Sequence, residues 1–373
     1  MRIREYGITV GSLPAGPLNK ISDVPGVTVG HSTVISERHQ TGVSVIMPCP
    51  DDPFTHKLTS ASYVLNGYGK TAGLVQIDEL GTLESPIVLT NTLNVGLMLD
   101  AAVGYILDRC AAEGVHPVSV NPLVCECNDS KLNLITERAV GPRNFLEAVA
   151  DAKADFAEGA VGGGRGMSCH GLKGGIGSSS RRAVFDGREY TVGILVMTNH
   201  GKLSDLVINC DPIGKRIAAV QTSGTAAASG GKASPGSAGE MFPAGNARVS
   251  QEAEEPERGS CIVILATDLP LSERQLKRVL KRCPVGMARL GSFIGSGSGE
   301  VFVGFSTANR RDLSDGRAVR TAEVFDDGHI DPVFRAAAEA TEEAILNAMT
   351  AAEPVTGYTG LTRHSLAEYL GKV

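Results

Sequence analysis

The chain of 373 residues contains no tryptophan, and aromatic residues make up only 5% of it. No apolar run is long enough to cross a membrane, and the first residues lack the apolar block of a signal peptide. The eight cysteines are scattered and form neither a disulfide framework nor a four-ligand zinc spacing. These absences predict a cytoplasmic protein, or alternatively a periplasmic one, with reduced and mostly buried thiols and no membrane partner.

The chain also lacks an excess of positive charge, since 35 basic residues face 41 acidic ones and the net charge is −6. This balance gives no electrostatic reason to expect nucleic acid or an anionic membrane as a partner. Hydrophobic residues at 42% and charged residues at 20% are typical of a globular protein with a substantial core. The 45 glycines and 18 prolines indicate many tight turns and disfavour a helical bundle.

Short apolar stretches of strand type alternate irregularly with stretches of helical spacing. This order favours a layered α/β or α+β architecture over a purely doubly wound sheet. The last long helix is Ala-rich, and its glutamates Glu339, Glu342 and Glu343 are expected on its outer face. Strands are predicted around 27–29, 42–47, 86–92, 118–124, 190–198, 261–266 and 301–306, and helices over 94–110, 141–160, 331–351 and from an N-cap at Ser272.

Three stretches of small residues are predicted to be loops: 162–167, 174–181 and 295–300. The first two match neither a P-loop nor a dinucleotide fingerprint, so close strand packing and hairpin turns explain their glycines better than phosphate binding. Residues 222–257 are rich in Ala, Gly, Ser and Pro and then in glutamate, with too little apolar content to pack. They are predicted to be a flexible linker.

A Gly-Ser step, Gly259-Ser260, joins this linker to the apolar run Cys261 to Ala266. The small Gly259 leaves room for the Ser260 hydroxyl to approach the Gly259 carbonyl. If the bond before Ser260 broke, the serine would carry its own α-amine, which makes a nucleophile with a built-in general base. The alternative is that this step is ordinary loop sequence.

Four polar clusters stand at predicted strand ends, and together they could supply a nucleophile, a base and an oxyanion donor. Ser298 and Glu300 alternate along an extended chain, so their side chains can point the same way. Asn199 could donate its amide N–H to an oxyanion. Taken singly, each residue could instead belong to a turn, a loop or the surface. The clusters are Glu126 with Asn128, Asn199 with His200, Ser260, and Ser298 with Glu300.

Two histidines, His170 and His200, could act as bases or as metal ligands. Neither belongs to a His-x-x-x-His pair or has a carboxylate at ligand spacing. We therefore expect no metal and no other cofactor.

The chain resembles the family of self-processing N-terminal serine aminopeptidases, which includes the L-aminopeptidase/D-amidase (DmpA) and β-peptidyl aminopeptidase group. The similarity runs nearly from end to end and depends on several specific motifs. These are 21–27 (ISDVPGV), 90–92 (TNT), 162–167 (GGGRGM), 173–177 (KGGIG) with 179–181 (SSR), 198–201 (TNHG), 257–260 (ERGS), 266–271 (ATDLPL), 275–278 (QLKR) and 305–309 (FSTAN).

The resemblance implies a fold and a subunit structure. The fold would be a four-layer α/β/β/α sandwich of the DmpA and ornithine acetyltransferase type, with an Ntn-hydrolase-like architecture. Self-cleavage before Ser260 would leave residues 1–259 and 260–373 as two subunits of one domain. The cleaved heterodimers would assemble as a homotetramer.

The resemblance also assigns roles to individual residues. Ser298 and Glu300 would assist Ser260, and Asn199 would form the oxyanion hole. Glu126 would hold the free amino group of the substrate. Asn128 stands where some members have a tyrosine as the second oxyanion donor.

The implied function is hydrolysis of the N-terminal residue from short peptides, amino-acid amides or esters of L-, D- or β-amino acids. It would proceed through an acyl-enzyme on Ser260. One alternative is an acyltransferase of the ornithine acetyltransferase type, and another is an amide hydrolase acting on synthetic oligomers. Both normally use threonine, which Ser260 disfavours. The third is a non-catalytic ligand-binding homologue, which the joint presence of Ser260, Ser298 and Glu300 disfavours.

Overall fold

The structure, a computed structural model, describes residues 1–228 and 258–372. Its helices are α1 Leu74–Leu80, α2 Val95–Ala112, α3 Pro142–Ala150, α4 Ile213–Ala228, α5 Glu273–Leu280, α6 Cys283–Arg289 and α7 Asp331–Ala351. Its strands are β1 Thr28–Ile35, β2 Gln40–Met47, β3 His56–Gly67, β4 Thr82–Leu83, β5 Ile87–Asn91, β6 Leu123–Cys127, β7 Ser168–Cys169, β8 Leu172–Lys173, β9 Gly175–Phe185, β10 Arg188–Asn199, β11 Arg258–Thr267, β12 Gly297–Asp312, β13 Val355–Thr356 and β14 Thr362–Arg363.

Two main sheets form the centre of the molecule. The first has four strands in the order β1-β2-β5-β6, and the second has six in the order β4-β3-β12-β11-β10-β9. The pairs β5–β6 and β11–β12 are parallel, and the other pairs within these sheets are antiparallel. The mixed order explains why strand pairs and strand–helix units alternate irregularly along the sequence.

The sheets face one another across a layer of apolar side chains, in which Ile46 and Leu89 of the first sheet meet Leu195, Ile264 and Phe305 of the second. Helices α2 and α3 cover the outer face of the first sheet, and α5 and α7 cover the outer face of the second. The predicted four-layer α/β/β/α sandwich is therefore confirmed. No helix among the described residues is long and apolar enough to cross a membrane.

The expectation that the α7 glutamates face outward is wrong. Glu339 and Glu343 are 1% and 0% exposed, and both pair with the fully buried Arg181 of β9. Arg4, from the N-terminal segment, also donates to Glu343. The alanines around the helix let it pack closely on several sides, so its charged residues end in a buried ion-pair cluster rather than in solvent.

Two predicted loops are in fact strand. Residues 174–181 lie mostly in β9, and a Cβ added at Gly177 would come within 2.0 Å of the Ala344 carbonyl oxygen. The glycines there allow close packing of α7 on the sheet, as the packing interpretation of this stretch predicted. Gly297–Glu300 likewise begin β12 rather than a loop.

Some predicted boundaries also move. The strand predicted at 118–124 runs instead over β6, Leu123–Cys127, and the helix predicted over 141–160 ends at Ala150. The beginning of the predicted linker, residues 222–228, is the last part of α4. The remainder, residues 229–257, lies outside the described residues.

Candidate active site

Three neighbouring strands of the six-stranded sheet bring the predicted catalytic residues side by side. In the antiparallel pair β10–β11, Asn199 lies opposite Ser260. In the parallel pair β11–β12, Ser260 lies opposite Gly299, between Ser298 and Glu300. Ser260 is the third residue of β11 and is 5% exposed. The predicted nucleophile, oxyanion donor and acid thus lie on adjacent strands, although 61 residues separate Asn199 from Ser260 in the sequence.

Ser298 and Glu300 form a hydrogen-bonded pair, as their alternate positions predicted. The Ser298 hydroxyl donates to Oε1 of Glu300, and both residues are completely buried. Asn66 of β3 fixes the backbone here, because its Nδ2 donates to the carbonyls of Gly295, at 2.9 Å, and of Ser298. Nothing in the sequence around Asn66 indicated this contact.

Gly259 is required by the backbone at the start of β11. Its φ is +152°, and a Cβ built on it would lie 2.0 Å from the carbonyl oxygen of Asn199. A glycine therefore allows β11 to approach β10 closely at this position. The peptide bond between Gly259 and Ser260 lies where the chain enters the sheet, in reach of the neighbouring strand ends.

The amide of Asn199 is held at both ends. Its Oδ1 accepts a hydrogen bond from the backbone N–H of Ser168 at 2.9 Å, and its Nδ2 donates to the Asn128 carbonyl at 2.9 Å. The side-chain amide has two N–H bonds, and the Asn128 contact uses one of them. This fixed orientation suits a group that must donate to a developing oxyanion without moving.

The glycine-rich loop that precedes Ser168 is held by Lys173, which is 0% exposed. Its Nζ donates to the carbonyls of Gly164 at 3.1 Å, Met167 at 2.7 Å and Gly174 at 2.8 Å. Burial lowers the pKa of Lys173, but three carbonyl acceptors match the three donors of a charged ammonium. We therefore assign the charged form, which ties the glycine-rich loop to the base of the site.

Glu126, at the end of β6 in the facing sheet, is buried and bound on both oxygens. Oε1 accepts from the backbone N–H of Lys70 at 2.8 Å, and Oε2 accepts from the Thr92 hydroxyl. The loop after β3 lies between Glu126 and β12. A Cβ at Gly69 would lie 3.3 Å from Oε1 of Glu126, and one at Gly299 would lie 2.4 Å from the Tyr68 carbonyl oxygen. Residues of this loop thus contact both Glu126 and the beginning of β12.

Asn128 contributes its carbonyl rather than its side chain to the surroundings of Asn199. Its exposed side chain accepts a hydrogen bond from the Ser130 backbone N–H at 3.0 Å. The predicted role of Asn128 as an oxyanion donor stays a prediction.

Cys127 is a neighbour of Ser260 that the sequence reasoning missed. Its thiol donates to the Met197 carbonyl at 3.6 Å and lies beside Ser260, and burial raises the pKa of the Cys127 thiol well above its ordinary value. The thiol is therefore protonated at neutral pH. Successive residues of a strand face opposite sides of the sheet, so the position of Cys127 next to Glu126 on β6 did not indicate this contact.

The two histidines considered as bases or ligands lie together beside Asn199, since His200 is the next residue and the His170 backbone N–H donates to the His200 carbonyl. His170 and His200 are 0% and 1% exposed, and their ring centroids are 5.5 Å apart. Burial lowers the pKa of His200 to about 3 and also lowers the pKa of His170. Both imidazoles are therefore neutral at physiological pH.

An α/β/β/α sandwich with a serine at the head of a central strand is the arrangement of an Ntn-type hydrolase. The L-aminopeptidase D-Ala-esterase/amidase from Ochrobactrum anthropi, described as a prototype for the serine aminopeptidases and a variant of the Ntn hydrolase fold, is similar with a TM-score of 0.85 and 31% identity, over 100% of this chain and 97% of that one. The PH0078 protein from Pyrococcus horikoshii OT3 is similar with a TM-score of 0.86 and 40% identity, over 100% and 98%.

The family model of Peptidase family S58 matches residues 19–363. A β-peptidyl aminopeptidase, BapA, from Sphingosinicella microcystinivorans is 37% identical over 371 residues, which is 97% of this chain and 88% of that protein. The chain belongs to Peptidase family S58 and is a hydrolase of the aminopeptidase type.

Proposed function

We propose that the chain cleaves itself between Gly259 and Ser260 and then uses Ser260 as the nucleophile of an aminopeptidase. The observation that carries this proposal is the alignment of Asn199, Ser260 and the Ser298–Glu300 pair on three adjacent strands. Gly259 supports it, because its conformation brings the bond to be cut between the same strands.

The self-cleavage is an N→O acyl shift followed by hydrolysis. The Ser260 Oγ adds to the Gly259 carbonyl carbon, the C–N bond breaks, and the freed Ser260 nitrogen takes the hydroxyl proton. Water then hydrolyses the ester, which leaves a carboxylate on Gly259 and restores the Ser260 hydroxyl. Asn199 lies opposite Ser260 and donates to the oxyanion, an interaction worth about 3–4 kcal/mol in comparable sites.

The aminopeptidase reaction repeats this chemistry on a substrate. The Ser260 Oγ attacks the carbonyl of the first amide bond, the leaving amine takes a proton, and water hydrolyses the acyl-enzyme ester. The base is either the new Ser260 α-amine, whose ordinary pKa is about 8, or the Ser298–Glu300 pair. The Glu126 carboxylate pairs with the substrate ammonium, which restricts cleavage to the first residue.

The substrates proposed are short peptides, amino-acid amides and esters, with β-amino acids among their first residues. The printed name of the Sphingosinicella relative supports the β-peptide part of this range. We propose a homotetramer of cleaved heterodimers as the assembly, on the strength of the family resemblance. Mass photometry of the matured protein tests the tetramer.

Intact mass spectrometry tests the nucleophile. The wild-type protein should give two chains divided between Gly259 and Ser260, Ser260→Ala should give one full-length chain without activity, and Ser260→Thr should still divide because it keeps a hydroxyl. If Ser260→Ala divides at the same bond, the assignment of the nucleophile is wrong.

A panel of aminoacyl p-nitroanilides tests the reaction and its range. It should include L, D and β-homo residues and, for each, the N-acetylated form. Free-amine substrates should be cleaved and their acetylated partners should not, because Glu126 pairs with an ammonium. Equal turnover of both forms would contradict the role of Glu126 while leaving Ser260 in place.

A further inference from the structure

A second cluster of chemically reactive side chains lies behind the oxyanion asparagine. It consists of Cys169 and His170, from the β7–β8 hairpin, and His200, the residue after β10. One possible ligand atom from each of the three lies within 4.8 Å of the others, and all three residues are buried. The proposed peptidase reaction gives no role to any of them.

The hydrogen bonds of His170 leave one ring nitrogen ready to bind a metal. Its Nδ1 lies 3.0 Å from the Lys202 carbonyl oxygen, which can only accept, so Nδ1 carries the proton. The other nitrogen, Nε2, then holds a lone pair, and it is buried without a hydrogen-bond partner among the described residues. A histidine that donates one N–H to a backbone carbonyl and offers its other nitrogen is the usual arrangement around a bound metal.

His200 contributes in a different way, because one of its ring nitrogens already faces the sulfur of Cys169. One of its nitrogens, Nδ1, lies 4.0 Å from the Cys169 sulfur, and its Nε2 is also buried without a hydrogen-bond partner in the part of the chain described. Unpartnered polar atoms in a dry interior cost free energy, which a ligand for those atoms would recover. Burial keeps both imidazoles neutral, which is the form that ligates metals.

We propose that Cys169, His170 and His200 bind one Zn²⁺ ion, with a water molecule as the fourth ligand. A thiolate and two imidazoles favour zinc over magnesium or calcium, which prefer oxygen ligands. Binding releases the proton of the Cys169 thiol. Donor atoms around a tetrahedral zinc lie about 3.5 Å apart, so the three side chains must move together by roughly 1 Å.

The position of the site gives the ion a structural role. The hairpin that supplies Cys169 and His170 already contacts the segment after β10, since the backbone N–H of His170 donates to the His200 backbone carbonyl at 2.7 Å. A Cβ at Gly259 would lie 3.1 Å from the Cα of His200, so the site adjoins the bond proposed to be cut. The ion would fix the turn that begins at Asn199.

Metal binding can be measured without any assay of peptidase activity. Purified Ser260→Ala and matured wild-type protein are stripped with a chelator and titrated with Zn²⁺ by calorimetry, and with Co²⁺ by absorption spectroscopy. One equivalent is expected per uncleaved Ser260→Ala chain and per cleaved heterodimer, together with a thiolate-to-cobalt charge-transfer band and a rise in the melting temperature. Absence of binding in both proteins would overturn the proposal.

Variants assign the ligands. Cys169→Ser should lose the charge-transfer band and His200→Gln should lose the bound equivalent, while Cys110→Ser, a buried thiol in a different core cluster, should keep both. Circular dichroism checks that each variant is folded. A charge-transfer band that persists in folded Cys169→Ser would place the metal elsewhere and refute this site.

Discussion

The close approach of β11 to β10 at Gly259 makes Gly259→Ala an informative substitution, because it retains every reacting atom of the chain. The added Cβ would lie 2.0 Å from the Asn199 carbonyl oxygen, whereas real Cβ atoms essentially never come within 3.0 Å of such an atom. The two strands must therefore separate by about 1 Å at the residue before Ser260. The backbone adds strain, because alanine disfavours φ of +152°, at a cost of about 1–3 kcal/mol.

We expect Gly259→Ala to divide roughly 100-fold more slowly than wild type, since a displacement of about 1 Å in a reacting group has an effect of that size. The assay is a time course of intact mass on freshly purified protein. Gly187→Ala is the matched control, because Gly187 also has a positive φ, +78°, but a Cβ there meets nothing within 4 Å. It should lose about 1 kcal/mol of stability and divide at the normal rate.

A rival effect runs in the opposite direction. Strain at the bond to be cut raises the energy of the precursor, and cleavage would relieve that strain. If Gly259→Ala divides as fast as wild type or faster, the strain dominates and the positioning argument is refuted. Comparing the melting temperatures of Ser260→Ala with and without Gly259→Ala separates slow cleavage from misfolding.

Two further predictions concern the groups around the site. Thr92→Val removes the hydroxyl that donates to Glu126 and should raise KM for free-amine substrates roughly tenfold with little change in kcat, since a hydrogen bond to a charged group is worth about 1.5 kcal/mol. Thr92→Ser, which keeps the hydroxyl, should have the wild-type KM. A tenfold fall in kcat for Thr92→Val would argue against a binding role. Burial raises the pKa of Asp129 from 3.8 to about 6, so its stabilising neutral form is lost as pH rises through that value. In the Ser260→Ala background, Asp129→Asn should therefore escape a loss of about 2 kcal/mol between pH 4 and pH 7, measured by urea unfolding at both values. Parallel pH profiles for the two proteins would show that Asp129 does not titrate this way.

The long elements could be predicted from the sequence because their signals are local, whereas the four-layer order was implied only by the family resemblance. Pro332 lies in the first turn of α7, where proline is favoured. Ser272 caps α5, as expected, by accepting a hydrogen bond from the Gln275 backbone N–H. The outward placement of Glu343 failed for a non-local reason. Its partners Arg4 and Arg181 are 339 and 162 residues away in the sequence and become neighbours only when the N-terminal segment and β9 pack against α7.

The residues of the candidate site likewise include some that local patterns indicated and some that they did not. Serine, glycine and acid patterns on single strands pointed to Ser260, Ser298 and Glu300, and strand pairing placed them side by side. The residues that hold these groups in place come from distant segments. Asn66, for example, donates to the Ser298 carbonyl, and no local pattern indicates such a contact. The Cys169–His170–His200 cluster was missed because ligand spacing was sought along the sequence, whereas a hairpin and a strand end bring these residues together.

The order of the six-stranded sheet constrains the fate of the two products of a cut before Ser260. Strands β11 and β12 would belong to the shorter product, but they are flanked by β10 on one side and β3 on the other, both from the longer product. Neither product can leave without breaking two ladders of hydrogen bonds at once. Melting the mature protein would release two separate polypeptides, so recovery would require a bimolecular encounter that the intact precursor never faced. The stability of the mature protein would then be kinetic, set by its unfolding rate, and its thermal unfolding would be effectively irreversible.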